Sequence, residues 1–77
     1  MNLEIISPEK TIYSGKAELV MLPGMSGLFT ILNRHAPIIS ALKKGVMKYR
    51  VNEKDEEMII SGGFVEAKKS NVSVCIE

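Results

Sequence analysis

Turn-forming residues interrupt this chain so often that almost no stretch between them is long enough for an ordinary helix, and this spacing constrains the fold more than any other feature. The interruptions are Ser7-Pro8-Glu9, Gly15, Pro23-Gly24, Gly27, residues 33–37, Lys43-Lys44-Gly45, residues 52–55 and Gly62-Gly63. Between them lie short β-prone runs at hairpin spacing. The clearest is residues 71–77, where Val72, Val74 and Ile76 alternate with Asn71, Ser73 and Glu77, the period of a half-buried strand. In residues 46–51, Met47, Tyr49 and Val51 face one way and Lys48 and Arg50 the other. In residues 16–22, Ala17, Leu19 and Met21 are expected on one face, with Glu18 on the other. Pro23-Gly24 is expected to stop that run, and Gly15 and Gly45 to adopt turn conformations closed to a residue with a Cβ. The one helix-length window, residues 38–44, is bracketed by Pro37 and Gly45. The pattern predicts an all-β fold, a small β-sandwich of about nine or ten short antiparallel strands forming a single domain over residues 1–77.

At 77 residues, one hydrophobic core supplies only about 3–5 kcal/mol, and small domains usually add disulfides, a metal or a partner. Cys75 is the only cysteine and His35 the only histidine, so neither a disulfide nor a zinc set can form within the chain. A partner protein is the remaining stabiliser. A net charge of +1 with interspersed signs argues against binding many phosphates; Lys43-Lys44 and Lys68-Lys69 read as solvated turn lysines. No apolar run reaches the roughly 18 residues of a membrane span. The start, Met1-Asn2-Leu3-Glu4, lacks the basic and apolar regions of a signal peptide, and a free cysteine fits a reducing compartment.

Catalysis needs a constellation, and none can be assembled. A Ser-His-Asp set or a Cys-His dyad would depend on His35, and Cys75 lies inside a regular strand, a poor place for an exposed thiolate. Glu53, Asp55, Glu56 and Glu57, interleaved with Lys54, read as a solubilising hairpin. Gly24 and Gly27 precede neither the Lys-Ser/Thr pair nor the helix of a phosphate loop. Nucleic-acid binding through a small barrel would need exposed aromatics on a basic face; the chain has no tryptophan and only Tyr13, Tyr49, Phe29 and Phe64. No catalytic residue, metal, cofactor or small-molecule substrate is expected. Two alternatives stay open: an unrelated β-sandwich interaction module, and a lipoyl- or biotinyl-like carrier domain, whose modified lysine Met47-Lys48 resembles. Lys48, however, falls inside an alternating strand, without the usual acidic residue before it.

Three stretches fit together as a known pattern: Ser7-Pro8-Glu9-Lys10 through Tyr13-Ser14-Gly15 to Val20-Met21-Leu22-Pro23-Gly24; Ile31-Leu32 followed by His35-Ala36-Pro37-Ile38-Ile39, Leu42 and Gly45; and Ser61-Gly62-Gly63-Phe64-Val65-Glu66 followed by Val72-Ser73-Val74. In this order the chain resembles the N-terminal β-domain of the epsilon subunit of bacterial F-type ATP synthases. The resemblance implies a non-catalytic rotor subunit at the base of the gamma shaft. It would rest on the c-ring and couple proton movement to ATP synthesis, peripheral to the cytoplasmic face of the inner membrane without inserting into it. It further implies that Gly24, Met25, Ser26, Gly27, Leu28 and Phe29 face the c-ring. Ser7, His35, Ala36, Pro37, Ile38, Ile39 and Ser40 would then face gamma. Interfaces able to carry torque are expected to be of at least standard size, roughly 1,200–2,000 Å² in total.

Two departures from the family pattern matter. An acidic residue usually stands where Leu28 does, with glycines near Thr30 and Arg34. Packing by Met25, Leu28 and Phe29 is therefore expected to replace a polar contact with the ring, and the apolar tip to be covered in the assembly. Most family members also continue into a C-terminal helical hairpin that can inhibit ATP hydrolysis and in some species binds ATP; the resemblance covers the β-domain only.

Overall fold

Nine strands make up the architecture, with no helix among residues 1–77, all of which the computed structural model describes. They are β1 (Asn2–Ile6), β2 (Thr11–Lys16), β3 (Leu19–Gly24), β4 (Gly27–Leu32), β5 (Ile38–Leu42), β6 (Gly45–Val51), β7 (Lys54–Ile60), β8 (Gly63–Lys68) and β9 (Asn71–Ile76). One continuous sheet runs β2-β1-β9-β8-β5-β3-β6-β7, with β4 on the other edge of β3. It curls into two facing layers, β2-β1-β9-β8-β5 and β4-β3-β6-β7. The corner sits on β3, whose edge is divided between two neighbours: Leu19, Val20 and Met21 pair with β6, and Gly24 alone pairs with Leu42 of β5. Pro23 is tolerated there because the β6 ladder has ended, so no partner requires its missing N–H. Its carbonyl accepts the Lys43 amide at 2.9 Å, tying the corner.

Alternation decides what fills the space between layers. Leu3 and Ile5 of β1, Val65 and Ala67 of β8, and Val72, Val74 and Ile76 of β9 project inward from one layer. Val20, Leu22, Ile31, Met47, Tyr49 and Ile60 meet them from the other, and all thirteen belong to one buried cluster. No polar or charged residue is buried with them. Such a core is held by apolar burial, at about 25 cal/mol per Å² removed from water.

Four local readings are corrected. On β3 the buried residues are Val20 and Leu22, whereas Leu19 and Met21 are half-exposed on the outer face. Ala17 is buried with the core, but the bend at Ala17-Glu18 resets the alternation before β3 begins. Pro23-Gly24 does not stop β3, which continues to Gly24 and turns at Met25-Ser26. Gly15 and Gly45 are not left-handed turn residues; both lie within strands, Gly45 pressed against the Pro23 ring and Gly15 beneath the outer end of the Tyr13 side chain. A Cβ on Gly15 would lie 2.9 Å from the Tyr13 hydroxyl, and one on Gly45 would lie 2.8 Å from the Pro23 Cβ. The left-handed positions fall instead on Arg34, Asn52, Glu53 and Lys69. Asn52 and Glu53 (φ 51° and 66°) form the two-residue β6–β7 turn, matching the twist of its strands. Asp55, Glu56 and Glu57 therefore lie in the edge strand β7 and not in a loop. The remaining difference is direction: β1 and β9 pair in parallel, from Asn2↔Asn71 to Ile6↔Cys75, while every other ladder is antiparallel. Parallel neighbours need a long connection, which the other seven strands supply.

Candidate docking interface

On a sheet whose inner residues are spent on the core, outward-facing positions decide what the domain can touch. Seven large apolar side chains face outward: Met25, Leu28, Leu32, Ile39, Val46, Ile59 and Phe64. Register sorts most of them into two patches. On the first layer Ala41 lies opposite Phe64, and Phe64 opposite Cys75. Ile39, two residues before Ala41 on the same face, is diagonal to Phe64, within side-chain reach across an antiparallel pair. Ile39 is 76% exposed and Phe64 51%. On the second layer Leu28 pairs with Pro23, and Val46 with Ile59 across β6–β7, so an apolar row runs beside the β3–β4 turn. Met25 stands at that turn, 64% exposed, and Leu28 is 68% exposed.

The residues expected to face the c-ring form one hairpin. Met25 and Ser26 make its two-residue turn, Gly24 and Gly27 close it as a pair, and Leu28 points out. Gly27 has φ +128°, a conformation that favours glycine. Phe29 differs from its expected part: it packs against the core, with its ring where a Cβ on Gly24 would stand, at 2.8 Å. Of the expected apolar tip, Met25 and Leu28 are therefore the members presented outward.

The residues expected to face gamma are spread more widely. His35, Ala36 and Pro37 form an irregular connection before β5, entered through Arg34 at φ 65°. Of the β5 residues expected to face gamma, only Ile39 faces outward; Ile38 and Ser40 take the inner parity with Leu42 and are half-buried, and the Ser40 hydroxyl donates to the Ala41 carbonyl at 3.1 Å. Ser7 closes the β1–β2 turn, donating from its amide to the Lys10 carbonyl at 2.9 Å and accepting the Lys10 amide on Oγ at 3.3 Å. Register carries Ile6 through Cys75 and Phe64 to Ala41. Ser7 therefore lies at the end where β5 finishes, the end that also carries the β3–β4 turn, whereas His35 lies at the opposite end. Phe64, Val46 and Ile59 were missed by the sequence reading. Phe64 had a legible signal: it shares the parity of Glu66 and Lys68, so an apolar ring interrupts a polar face.

The remaining surface is polar. Arg50 Nε donates to Asp55 Oδ1 at 2.7 Å and Nη2 to Oδ2 at 3.3 Å, with Lys48 Nζ 3.9 Å from Oδ2. The hydrogen bond and charge of Arg50 hold the Asp55 carboxyl below its ordinary value, although partial desolvation opposes this. Lys48 is thus a half-buried strand residue opposite Glu57, not an exposed hairpin lysine of the kind carrier domains modify. Tyr49 is buried and packs against Tyr13, the rings tilted by 40° with centroids 5.0 Å apart; burial foremost, then the Glu56 charge, raises its phenol pKa. No group of three or more His, Cys, Asp or Glu side chains gathers to hold a metal ion, and no helix is long and apolar enough to cross a membrane. The open concavity over β1, β2, β8 and β9 presents Glu4, Ser14, Glu66 and Ser73 to solvent, with no enclosed site.

Comparison with known proteins bears on the family and the fold. The family described as the ATP synthase delta/epsilon chain beta-sandwich domain matches residues 1–77. The chain is 40% identical to the ATP synthase epsilon chain of Leptospira borgpetersenii over 74 residues, covering 96% of this chain and 58% of that one. It is 44% identical to that of Desulfitobacterium hafniense over 72 residues, covering 94% and 54%. It thus spans somewhat over half the length of these relatives. Among solved structures, a chain of the Euglena gracilis mitochondrial ATP synthase OSCP/F1/c-ring assembly superposes with a TM-score of 0.90 at 18% identity, covering 96% of this chain and 48% of that one. A chain of the Tetrahymena thermophila mitochondrial ATP synthase central stalk and c-ring gives 0.83 at 17% identity, covering 99% and 62%. At those identities the likeness speaks for the fold alone.

Proposed function

Since the chain belongs to the beta-sandwich domain family of the ATP synthase delta and epsilon chains, we propose that it is a central-stalk rotor element. In this reading it joins the gamma subunit to the c-ring and so couples proton transport to ATP synthesis, contributing no catalytic group of its own. Its place is peripheral, on the cytoplasmic face of a bacterial inner membrane. The single observation that carries the proposal is the pair of apolar patches, Met25-Leu28 at the β3–β4 turn and Ile39-Phe64 on the outer face of β5–β8. A domain gripped on two sides needs two such patches, and solvated side chains of this size need cover. Two standard interfaces would take about 800 Å² each from this chain, roughly a third of its 4967 Å² surface.

A β-sandwich suits the task, because hydrogen-bonded ladders on both layers resist shear between the two grips. The c-ring would meet Gly24, Met25, Ser26, Gly27 and Leu28, with Phe29 bracing the hairpin from within. Gamma would meet His35, Ala36, Pro37 and Ile39, with Phe64 added, while Ile38 and Ser40 shape β5 beneath them. Ser7 would contribute from the end nearer the ring. The test is titration of gamma with the chain and with Ile39→Asp. Stoichiometric binding by the native chain, and its loss in a variant whose melting temperature is unchanged, is the expected result. A native chain that fails to bind gamma ends the proposal.

A further inference from the structure

In a domain with no buried polar residue, one polar atom is out of place. Nε2 of His35 is buried and has no hydrogen-bond partner, the sole side-chain nitrogen or oxygen in that condition. The other ring nitrogen, Nδ1, lies 3.1 Å from the Ala36 carbonyl oxygen. A carbonyl can only accept, so Nδ1 carries the proton and donates. The neutral imidazole then presents Nε2 as an acceptor with nothing to accept. A protonated ring would be no better served, since Nε2–H would be an unanswered donor. Leaving a buried polar atom unsatisfied is costly, and native structures keep few such atoms.

The setting allows the cost to be relieved. His35 is only half-buried as a residue, sits in the irregular connection between β4 and β5, and makes one side-chain hydrogen bond, to its neighbour. Arg34, immediately before it, occupies the left-handed region at φ 65°. Strained or unsatisfied groups persist where a bound state uses them. We propose that His35 is a docking residue stored in an unfavourable position: on assembly its ring turns outward and Nε2 accepts a hydrogen bond from a donor on the shaft subunit. This rests on the rotor reading above and specifies the chemistry of one contact within it, an N–H or O–H group of gamma aimed at an unprotonated imidazole nitrogen.

The test pairs stability of the free chain with affinity for gamma. His35→Phe keeps a flat ring but removes both nitrogens. Free His35→Phe melts higher than the native chain, by about 4–8 °C, yet binds gamma about tenfold more weakly. His35→Gln, which keeps an acceptor, stays within about threefold of native affinity. In ¹⁵N spectra, free His35 shows the Nδ1–H tautomer and its Nε2 resonance moves upfield when gamma is added. The inference is overturned if His35→Phe lowers the melting temperature, because Nε2 is then satisfied in the free chain. It is equally overturned if His35→Phe binds gamma as the native chain does while Ile39→Asp does not. Failure of the native chain to bind gamma at all would instead remove the rotor reading, and this inference with it.

Discussion

Gly63→Ala tests whether the close approach of β8 to β9 sets the stability of the domain. Gly63 opens β8 at φ +145°, and a methyl placed on it would lie inside the contact radius of the Cys75 carbonyl oxygen and 2.9 Å from the Ile76 Cα. Both obstacles are backbone, held by the Gly63↔Ile76 pairing, so no flexible side chain can yield. Overpacking against a fixed neighbour costs about 1–3 kcal/mol, and a residue held in a sparsely populated backbone region about 1–3 kcal/mol more. The combined loss of about 2–6 kcal/mol is comparable with the whole stability of about 3–5 kcal/mol for a domain this small. Gly27→Ala isolates the second effect, because Gly27 has φ +128° but nothing within 4 Å of the added Cβ; its loss is about 1–3 kcal/mol. Thermal melts followed by far-UV circular dichroism should place Gly27→Ala about 5–15 °C below the native chain. Gly63→Ala should be largely unfolded at room temperature. If it melts as high as Gly27→Ala, the backbone collision does not matter and the argument from space is wrong.

Met25→Ala should leave the melting temperature within about 3 °C of native, because the side chain is 64% exposed; under the proposed rotor role, a proton-pumping assay on the assembled synthase should show reduced coupling. Arg34→Gly should stabilise the free chain by up to about 1 kcal/mol, since φ 65° costs an ordinary residue about 1–2 kcal/mol and glycine's extra chain entropy takes part of that back; urea unfolding measures it. For Asp55, whose folded pKa lies below its ordinary 3.8, stabilisation is fully present above that value and is lost as pH falls through the lower folded one. Arg50→Gln should return the Asp55 carboxyl ¹³C titration to the ordinary range and flatten the acid limb of stability only slightly, the pair being open to solvent.

Alternation made some elements legible and hid others. β9 could be read residue by residue, because Val72, Val74 and Ile76 all face one core. β3 could not, because its corner position leaves both faces apolar, so Leu19 and Met21 look as buried as Val20 and Leu22. Gly15 and Gly45 look like turn residues, since a sequence does not distinguish a glycine needed for its dihedral angles from one needed for room. The parallel seam between β1 and β9 leaves no local mark, since its partners lie at opposite ends of the chain. At the candidate interface, Met25 and Leu28 stand out because turn-flanking apolar residues are unusual. Phe64 emerges only once β5 is known to lie beside β8.

That seam sets the order in which the molecule can come together. β1 sits inside the first layer, between the hairpin strand β2 and a partner, β9, that is distant in sequence. Without β9, β1 and β2 form an isolated two-stranded ribbon, which is marginal in water. The β1–β2 ribbon is therefore held in place only when β9 joins it to β8. Because Asn2 and Asn71 are 69 positions apart, this step closes the whole intervening segment into a loop, so folding of the domain should be slow and all-or-none. Half-made molecules would have little structure with which to engage a partner prematurely.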